Sequence, residues 1–121
     1  MRGWTNDNST WYYLDPETGI MQTGWKQIGN KWYYLRSSGA MVTGWYQEGS
    51  TWYYLDDLNG DMKTGWQYLG NKWYYLRSSG AMATGWFQVN GKWYYAYSSG
   101  ALAVNTTVDG YSVNYNGEWV Q

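Results

Sequence analysis

The chain is predicted to be all-β, a solenoid of stacked two-stranded β-hairpins. Three observations carry this reading. A Gly-Trp step recurs at Trp4, Trp25, Trp45, Trp66 and Trp86, and a Trp-Tyr-Tyr triplet begins seven residues later each time, at Trp11, Trp32, Trp52, Trp73 and Trp93. Successive starts lie 21, 20, 21 and 20 residues apart, which is the regular period of a repeat protein. Midway between each pair of Trp stands a dipeptide suited to a tight reversal. The third observation is compositional. With 11 Trp, 15 Tyr and one Phe in 121 residues, the apolar material is mainly aromatic rings that carry an N–H or O–H, which suits a row of small cores shared between neighbours better than one large core.

Each repeat is taken as a hairpin. The turns are predicted at Asn8-Ser9, Gly29-Asn30, Gly49-Ser50, Gly70-Asn71 and Asn90-Gly91. With Gly29-Asn30 as the turn, Ile28 faces Lys31, Gln27 faces Trp32 and Trp25 faces Tyr34. Side chains alternate along a strand, so Trp25, Trp32 and Tyr34 share one face while Tyr33 and Leu35 take the other. The linkers alternate between two kinds. Leu14–Gly19 and Leu55–Gly60 are acidic and one residue longer; Leu35–Gly39 and Leu76–Gly80 are basic and shorter, which accounts for the alternating period. Each linker carries a Gly, expected at positive φ, followed by Met21, Met41, Met62 or Met82. Both kinds read as solvated turns, whose exposed charges would contribute at most about 1 kcal/mol per pair.

Residues 1–104 thus form five repeats of about 20 residues, and 105–121 an atypical closing segment. There Leu102 takes the Met position, and Asp109-Gly110 and Asn116-Gly117 are again turn dipeptides. This segment is expected to cap the stack or to form a contact between two copies, a homodimer through the C-terminal end.

Eight Lys and Arg against nine Asp and Glu leave no basic block, which argues against nucleic acid as a partner. No apolar run is long enough for a transmembrane segment. The opening Met1-Arg2-Gly3-Trp4 enters a repeat directly, so the chain is expected to be part of a longer protein whose export signal lies elsewhere. Without Cys or His there is no thiol chemistry and the commonest acid–base residue is missing. Asp and Glu fall in linkers or near hairpin turns, with no nucleophile–base motif, metal cluster or cofactor signature, so the segment is not read as an enzyme.

The Trp and Tyr lattice could serve stacking alone. A stacking core ordinarily uses Val, Ile or Leu, however, whereas Trp faces combined with Tyr are suited to a quaternary ammonium, which offers no N–H and is held by cation–π attraction and apolar contact. Aromatic surfaces also stack on sugars. The pattern Gly-Trp, then Trp-Tyr-Tyr-Leu, then Gly-x-Met-x-Thr-Gly-Trp closely resembles the cell-wall-binding repeats of choline-binding proteins, and the tail Gly100–Gly110 looks like the C-terminal end of their surface members. The resemblance implies a left-handed superhelix of hairpins. It further implies a secreted protein at the cell wall of a Gram-positive bacterium, held non-covalently by choline or phosphocholine of teichoic and lipoteichoic acids.

In that family a ligand lies between consecutive hairpins, held by two aromatics of one, a third from the next, and a Met or similar residue. Carried onto this sequence, the first set is Trp4, Trp11, Tyr34 and Met21, and the second Trp25, Trp32, Tyr54 and Met41. The third set is Trp45, Trp52, Tyr75 and Met62, and the fourth Trp66, Trp73, Tyr95 and Met82. Trp86 and Trp93 lack a following hairpin of the same pattern. The rival readings are a glucan- or polysaccharide-binding aromatic module, a wall hydrolase, and a purely structural β-assembly.

Overall fold

The computed structural model describes residues 3–120, so Met1 and Arg2 of the expected opening lie outside the described residues. Every element is a strand. The chain divides into two compact units, Met1–Lys63 and Thr64–Gln121, and each is described by itself.

The first unit holds three hairpins: β1 (Gly3–Asp7) with β2 (Thr10–Leu14), β3 (Gly24–Ile28) with β4 (Lys31–Leu35), and β5 (Gly44–Glu48) with β6 (Thr51–Leu55). Each is its own two-stranded antiparallel sheet. The register is the predicted one, with Trp25 opposite Tyr34, Gln27 opposite Trp32 and Ile28 opposite Lys31. Asn8-Ser9, Gly29-Asn30 and Gly49-Ser50 are the two-residue turns. Asn8 and Ser9 both have positive φ, at 52° and 69°, whereas in the other two turns only the leading Gly does. Gly in first place gives the II′ turn and two left-handed residues the I′ turn, both of which match strand twist.

A lone hairpin is at best marginally stable, so the linkers must tie it to its neighbours. After each hairpin the chain folds back and bridges its own last strand residue, Leu14 to Met21, Leu35 to Met41 and Leu55 to Met62. The same segment then reaches the preceding hairpin. The Met41 amide donates to the Trp11 carbonyl at 2.9 Å, and the Met62 amide to the Trp32 carbonyl at 2.7 Å. Leu35, Leu55 and Val42 are fully buried in these joints. Aliphatic side chains, joined by Tyr54, therefore fill the small cores of this unit, while its Trp rings stay partly open.

The second unit continues with β7 (Gly65–Leu69) and β8 (Lys72–Leu76), then β9 (Gly85–Val89) and β10 (Lys92–Ala96), turning at Gly70-Asn71 and Asn90-Gly91. The same bridges recur from Leu76 to Met82 and from Ala96 to Leu102, and the Leu102 amide donates to the Trp73 carbonyl at 2.9 Å. Ala83, Phe87 and Ala96 form a buried cluster beneath Trp66, Tyr75 and Tyr94. The closing segment forms a three-stranded sheet of β11 (Thr106–Val108), β12 (Tyr111–Val113) and β13 (Trp119–Val120). Asp109-Gly110 is its two-residue turn. Asn116-Gly117, expected to act likewise, instead lies in the longer reversal Asn114–Glu118, where the Gly117 amide donates to the Asn114 carbonyl at 2.9 Å. A bridge between Tyr94 and Glu118 seats this sheet on the fifth hairpin.

The two linker types differ by one main-chain step. In the basic linker the Gly39 amide donates to the Arg36 carbonyl, three residues back, at 2.7 Å; in the acidic one the Gly60 amide donates to the Asp56 carbonyl, four back, at 3.0 Å. The added residue brings amides that need acceptors, and the Asp56 carboxylate takes those of Leu58 and Asn59 at 3.0 and 2.8 Å. Asp15 does the same for Glu17 and Thr18. The acid is therefore part of the turn.

Asp56 is held below its ordinary value of 3.8, first by the Asn59 and Leu58 amides and then by Lys63. A depressed carboxylate stabilises the fold above its unfolded pKa, and that contribution disappears as pH falls through the folded pKa. Asp56→Ala should therefore lower the melting temperature at pH 7, and the gap from the parent chain should close below about pH 4; a gap independent of pH would contradict this role. Gly60 stands at φ 78°, and a Cβ there would meet Met41 Sδ at 2.5 Å. Gly60→Ala should destabilise the first unit by about 1–2 kcal/mol in thermal or denaturant unfolding.

Candidate functional site

Strand alternation gives each hairpin two different faces. One face carries the two Trp and the last Tyr of the triplet; the other carries the middle Tyr and the buried residue that follows the triplet. Within one hairpin the paired Trp rings stand at right angles, 6.4 Å apart for Trp4 and Trp11, 6.3 Å for Trp45 and Trp52, and 6.4 Å for Trp66 and Trp73. The first Trp of each pair also packs edge-on against the last Tyr of its own triplet: Trp25 against Tyr34, Trp45 against Tyr54, Trp66 against Tyr75 and Trp86 against Tyr95, at 5.0–5.1 Å.

The third wall comes from the next hairpin, and here the geometry departs from the expected sets. Tyr33 meets Trp4 at 4.9 Å, Tyr53 meets Trp25 at 5.0 Å and Tyr94 meets Trp66 at 4.9 Å. These are middle residues of their triplets. Tyr34, Tyr54, Tyr75 and Tyr95 instead pack against the first Trp of their own hairpins. Tyr34 stacks on Tyr46 at 4.2 Å, Tyr75 stacks on Phe87 at 5.4 Å, and Tyr54 is buried and donates its hydroxyl to Asp57 Oδ1 at 2.6 Å. Burial first and this hydrogen bond second push the Tyr54 hydroxyl up to about 12. The reason is the alternation itself, since a hairpin presents its opposite face to the hairpin before it.

The Met assignments move in the same sense. The amides of Met41, Met62 and Leu102 bind the carbonyls of Trp11, Trp32 and Trp73, so each sits one linker later than expected. Met21 and Met82 lie over Gly39 and Gly100, as Met41 lies over Gly60. The third expected set has members in both units; within the first, Trp45 and Trp52 form the same right-angled pair as the others.

Three cavities follow. One of about 470 Å³ is lined by Trp4, Trp11, Tyr33 and Met41, with Asp61 and Lys31 among its other walls. Another of about 370 Å³ is lined by Trp66, Trp73, Tyr94 and Leu102, with Tyr115 and Glu118. The last, about 340 Å³, is formed by Trp86, Trp93, Tyr111 and Trp119 alone. Tyr111 stands nearly perpendicular to both Trp86 and Trp119, at 5.9 and 6.0 Å. The closing segment thus supplies two walls that the repeat pattern does not announce. Trp119, the one Trp outside the lattice, was the available signal.

The second Trp of each pair stays open to solvent: Trp11, Trp32, Trp52, Trp73 and Trp93 are 36–44% exposed. A ring used only for packing would be covered, so this recurring exposure marks the surface as functional. Burial raises the Tyr33 and Tyr94 hydroxyls, and the charges of Asp61 and Glu118 add to it. Among the described residues no group of three or more metal-ligating side chains occurs, and no helix is long and apolar enough to cross a membrane.

Comparison with known proteins gives a consistent answer. The choline-binding repeat model matches residues 22–65 and 63–106, and the putative cell wall binding repeat matches 3–21. No curated protein sequence matches. Among solved structures, CbpJ from Streptococcus pneumoniae is 75% identical over 99% of this chain and 48% of its own, with a TM-score of 0.68. Choline binding protein F from the same species, in the presence of a peptidoglycan analogue, is 64% identical over 100% of this chain and 47% of its own, at 0.67. The modular autolysin LytC from that species is 32% identical over 98% and 28%, at 0.75. The chain spans about half the length of CbpJ and of choline binding protein F. With choline-binding repeats matched along most of its length, this chain belongs to the choline-binding repeat proteins.

Proposed function

We propose that the chain binds choline groups at several sites at once and so holds a larger protein non-covalently on phosphocholine-bearing polymers of the cell wall. The observation that carries this is the exposed second Trp, set at right angles to the first and closed on a third side by a Tyr of the next hairpin. A quaternary ammonium cannot donate a hydrogen bond. It is attracted to the negative faces of aromatic rings and gains apolar contact through its methyl groups. Rings on three sides meet a roughly spherical cation on three sides, and Met41 or Leu102 adds an apolar fourth.

The proposed cages are Trp4, Trp11, Tyr33 and Met41; Trp25, Trp32, Tyr53 and Met62; and Trp66, Trp73, Tyr94 and Leu102. Trp86, Trp93, Tyr111 and Trp119 would take the same group, and Trp45 with Trp52 offers the same two indole walls. No catalysis is assigned to these repeats. Glycoside hydrolysis uses two carboxylates flanking the bond, whereas each of the first two cavities presents one lining carboxylate, already in an ion pair. Presence on the cell surface follows from the proposed ligand, and linked weak sites there reinforce one another through effective concentration.

Ligand-dependent melting tests this directly. A ligand that binds only the folded chain adds about 2.7 kcal/mol per site at a hundredfold excess over Kd. Choline and tetramethylammonium should each raise the melting temperature strongly, and ethanolamine, strongly hydrated and without methyl groups, should do little at equal ionic strength. Stabilisation by maltooligosaccharides but not by choline would overturn the proposal.

Single-ring substitutions separate cage from core. Trp73 is 44% exposed, so Trp73→Ala should reduce choline stoichiometry by one while costing less stability than the 3–5 kcal/mol of a buried ring. Unchanged stoichiometry in calorimetric titration would show Trp73 to be packing alone.

A further inference from the structure

Two of the aromatic cavities carry a charge arrangement that the third lacks. At the first, Asp61 lies in the wall with its side chain 8% exposed, and Lys31 stands 3.6 Å from it, 63% exposed. At the second, Glu118 lies in the wall at 25%, and Lys92 stands 4.0 Å from it at 60%. The cavity of Trp86, Trp93, Tyr111 and Trp119 has no charged residue in its lining.

The two arrangements share a lysine–carboxylate pair although their sequences differ; Lys31 and Lys63 both line the first cavity, whereas Lys92 stands outside the lining of the second. Lys31 and Lys92 each begin the second strand of a hairpin, two residues before the cage tyrosines Tyr33 and Tyr94, and so lie on the same strand face as those rings. Their carboxylate partners have different origins. Asp61 comes from a linker, at a place where the other repeats carry Ile20, Ala40, Ala81 and Ala101. Glu118 comes from the closing segment, outside the repeats, and is held by Asn114, whose side-chain oxygen accepts the Glu118 amide at 2.9 Å and whose Nδ2 donates to Glu118 Oε1 at 3.3 Å.

In both places the carboxylate is the more enclosed group and the ammonium the more exposed. At 3.6 and 4.0 Å each lysine is attracted to its carboxylate without a hydrogen bond of good length, so its N–H donors remain uncommitted. Lys63 differs, being shared between Asp56 and Asp61 at 3.5 Å each. A choline ester of phosphate has the reverse order of charge: a cation at one end, two methylene groups, then an anion. With the cation among the rings, its charge lies toward the carboxylate and the phosphoryl group lies outward, toward the lysine.

We infer that Lys31 and Lys92 bind the phosphoryl oxygens of phosphocholine and make these two cavities selective for the phosphorylated ligand over free choline. This rests on the proposed choline binding and deepens it. Lys31→Gln with Lys92→Gln in the full chain tests it, because both side chains are exposed and their loss spares the cores. In calorimetric titrations at low salt, the parent chain should prefer phosphocholine to choline by about threefold to fivefold at these sites, the worth of one exposed charge pair. The preference should vanish in the double variant, with choline affinity retained, and should shrink in the parent as salt rises.

Equal affinity of the parent for both ligands, or a preference that survives the double substitution, would overturn the assignment. Failure of the parent to bind either ligand would instead bring down the choline reading, and this inference with it. Sedimentation with phosphatidylcholine vesicles separates the carriers of the group. Pelleting abolished by the double substitution supports the lysines and points to a lipid surface. No pelleting, alongside the soluble preference, supports them and points to a free or polymer-borne ester. Pelleting that the double substitution leaves unchanged counts against them.

Discussion

The amide of Met41 bound to the carbonyl of Trp11 is the contact on which the rest depends, together with its counterparts from Met62 to Trp32 and from Leu102 to Trp73. Five hairpins form five separate two-stranded sheets, and the named strands pair only within their own sheets. Such pieces do not stand alone in water. The linker satisfies one backbone group on the hairpin it has just left and another on the hairpin before it, so ladder pairing is replaced by stitching. Because the stitch falls at the second Trp, the main chain of that residue is fixed while its ring remains free to face solvent.

This division explains why the fully buried side chains are aliphatic while the Trp rings are partly open. Leu35, Leu55 and Leu76 are wholly covered at the ends of their hairpins. The indoles line cavities whose walls belong to different hairpins, and Trp4, Trp25 and Trp66 are each braced on both sides. Trp25, for example, has Tyr34 of its own hairpin on one side and Tyr53 of the next on the other.

Much of this could be read from sequence because it is local. The five turns and the strand register were fixed by dipeptides such as Gly29-Asn30 and Asn90-Gly91, and the alternating linker lengths by the residue added around Asp15 and Asp56. The faces of a single hairpin also followed from alternation alone. What could not be read was which face the next hairpin turns inward, because that depends on the path of the linker through space. Tyr34 and Met21 were expected beside Trp4, where the structure brings Tyr33 and Met41, and the two differences have one cause. The walls contributed by Tyr111 and Trp119 were hidden for a related reason, since the closing segment supplies aromatic walls from a three-stranded sheet without the repeat's letters.

The alternation of linkers has an evolutionary consequence. Tyr46 and Phe87, which stack on Tyr34 and Tyr75, follow the first Trp of the third and fifth hairpins, where Thr5, Lys26 and Gln67 stand in the others. From the second hairpin to the fifth, the preceding linker alternates in step with them. The heritable module is therefore a pair of hairpins, and the family match divides the chain in just this way, into 22–65 and 63–106. Unequal recombination that adds or removes a whole pair leaves every junction between unlike neighbours, and the length of the array can drift in such steps. Loss of a single hairpin would join two like linkers and set the stacking aromatics out of phase.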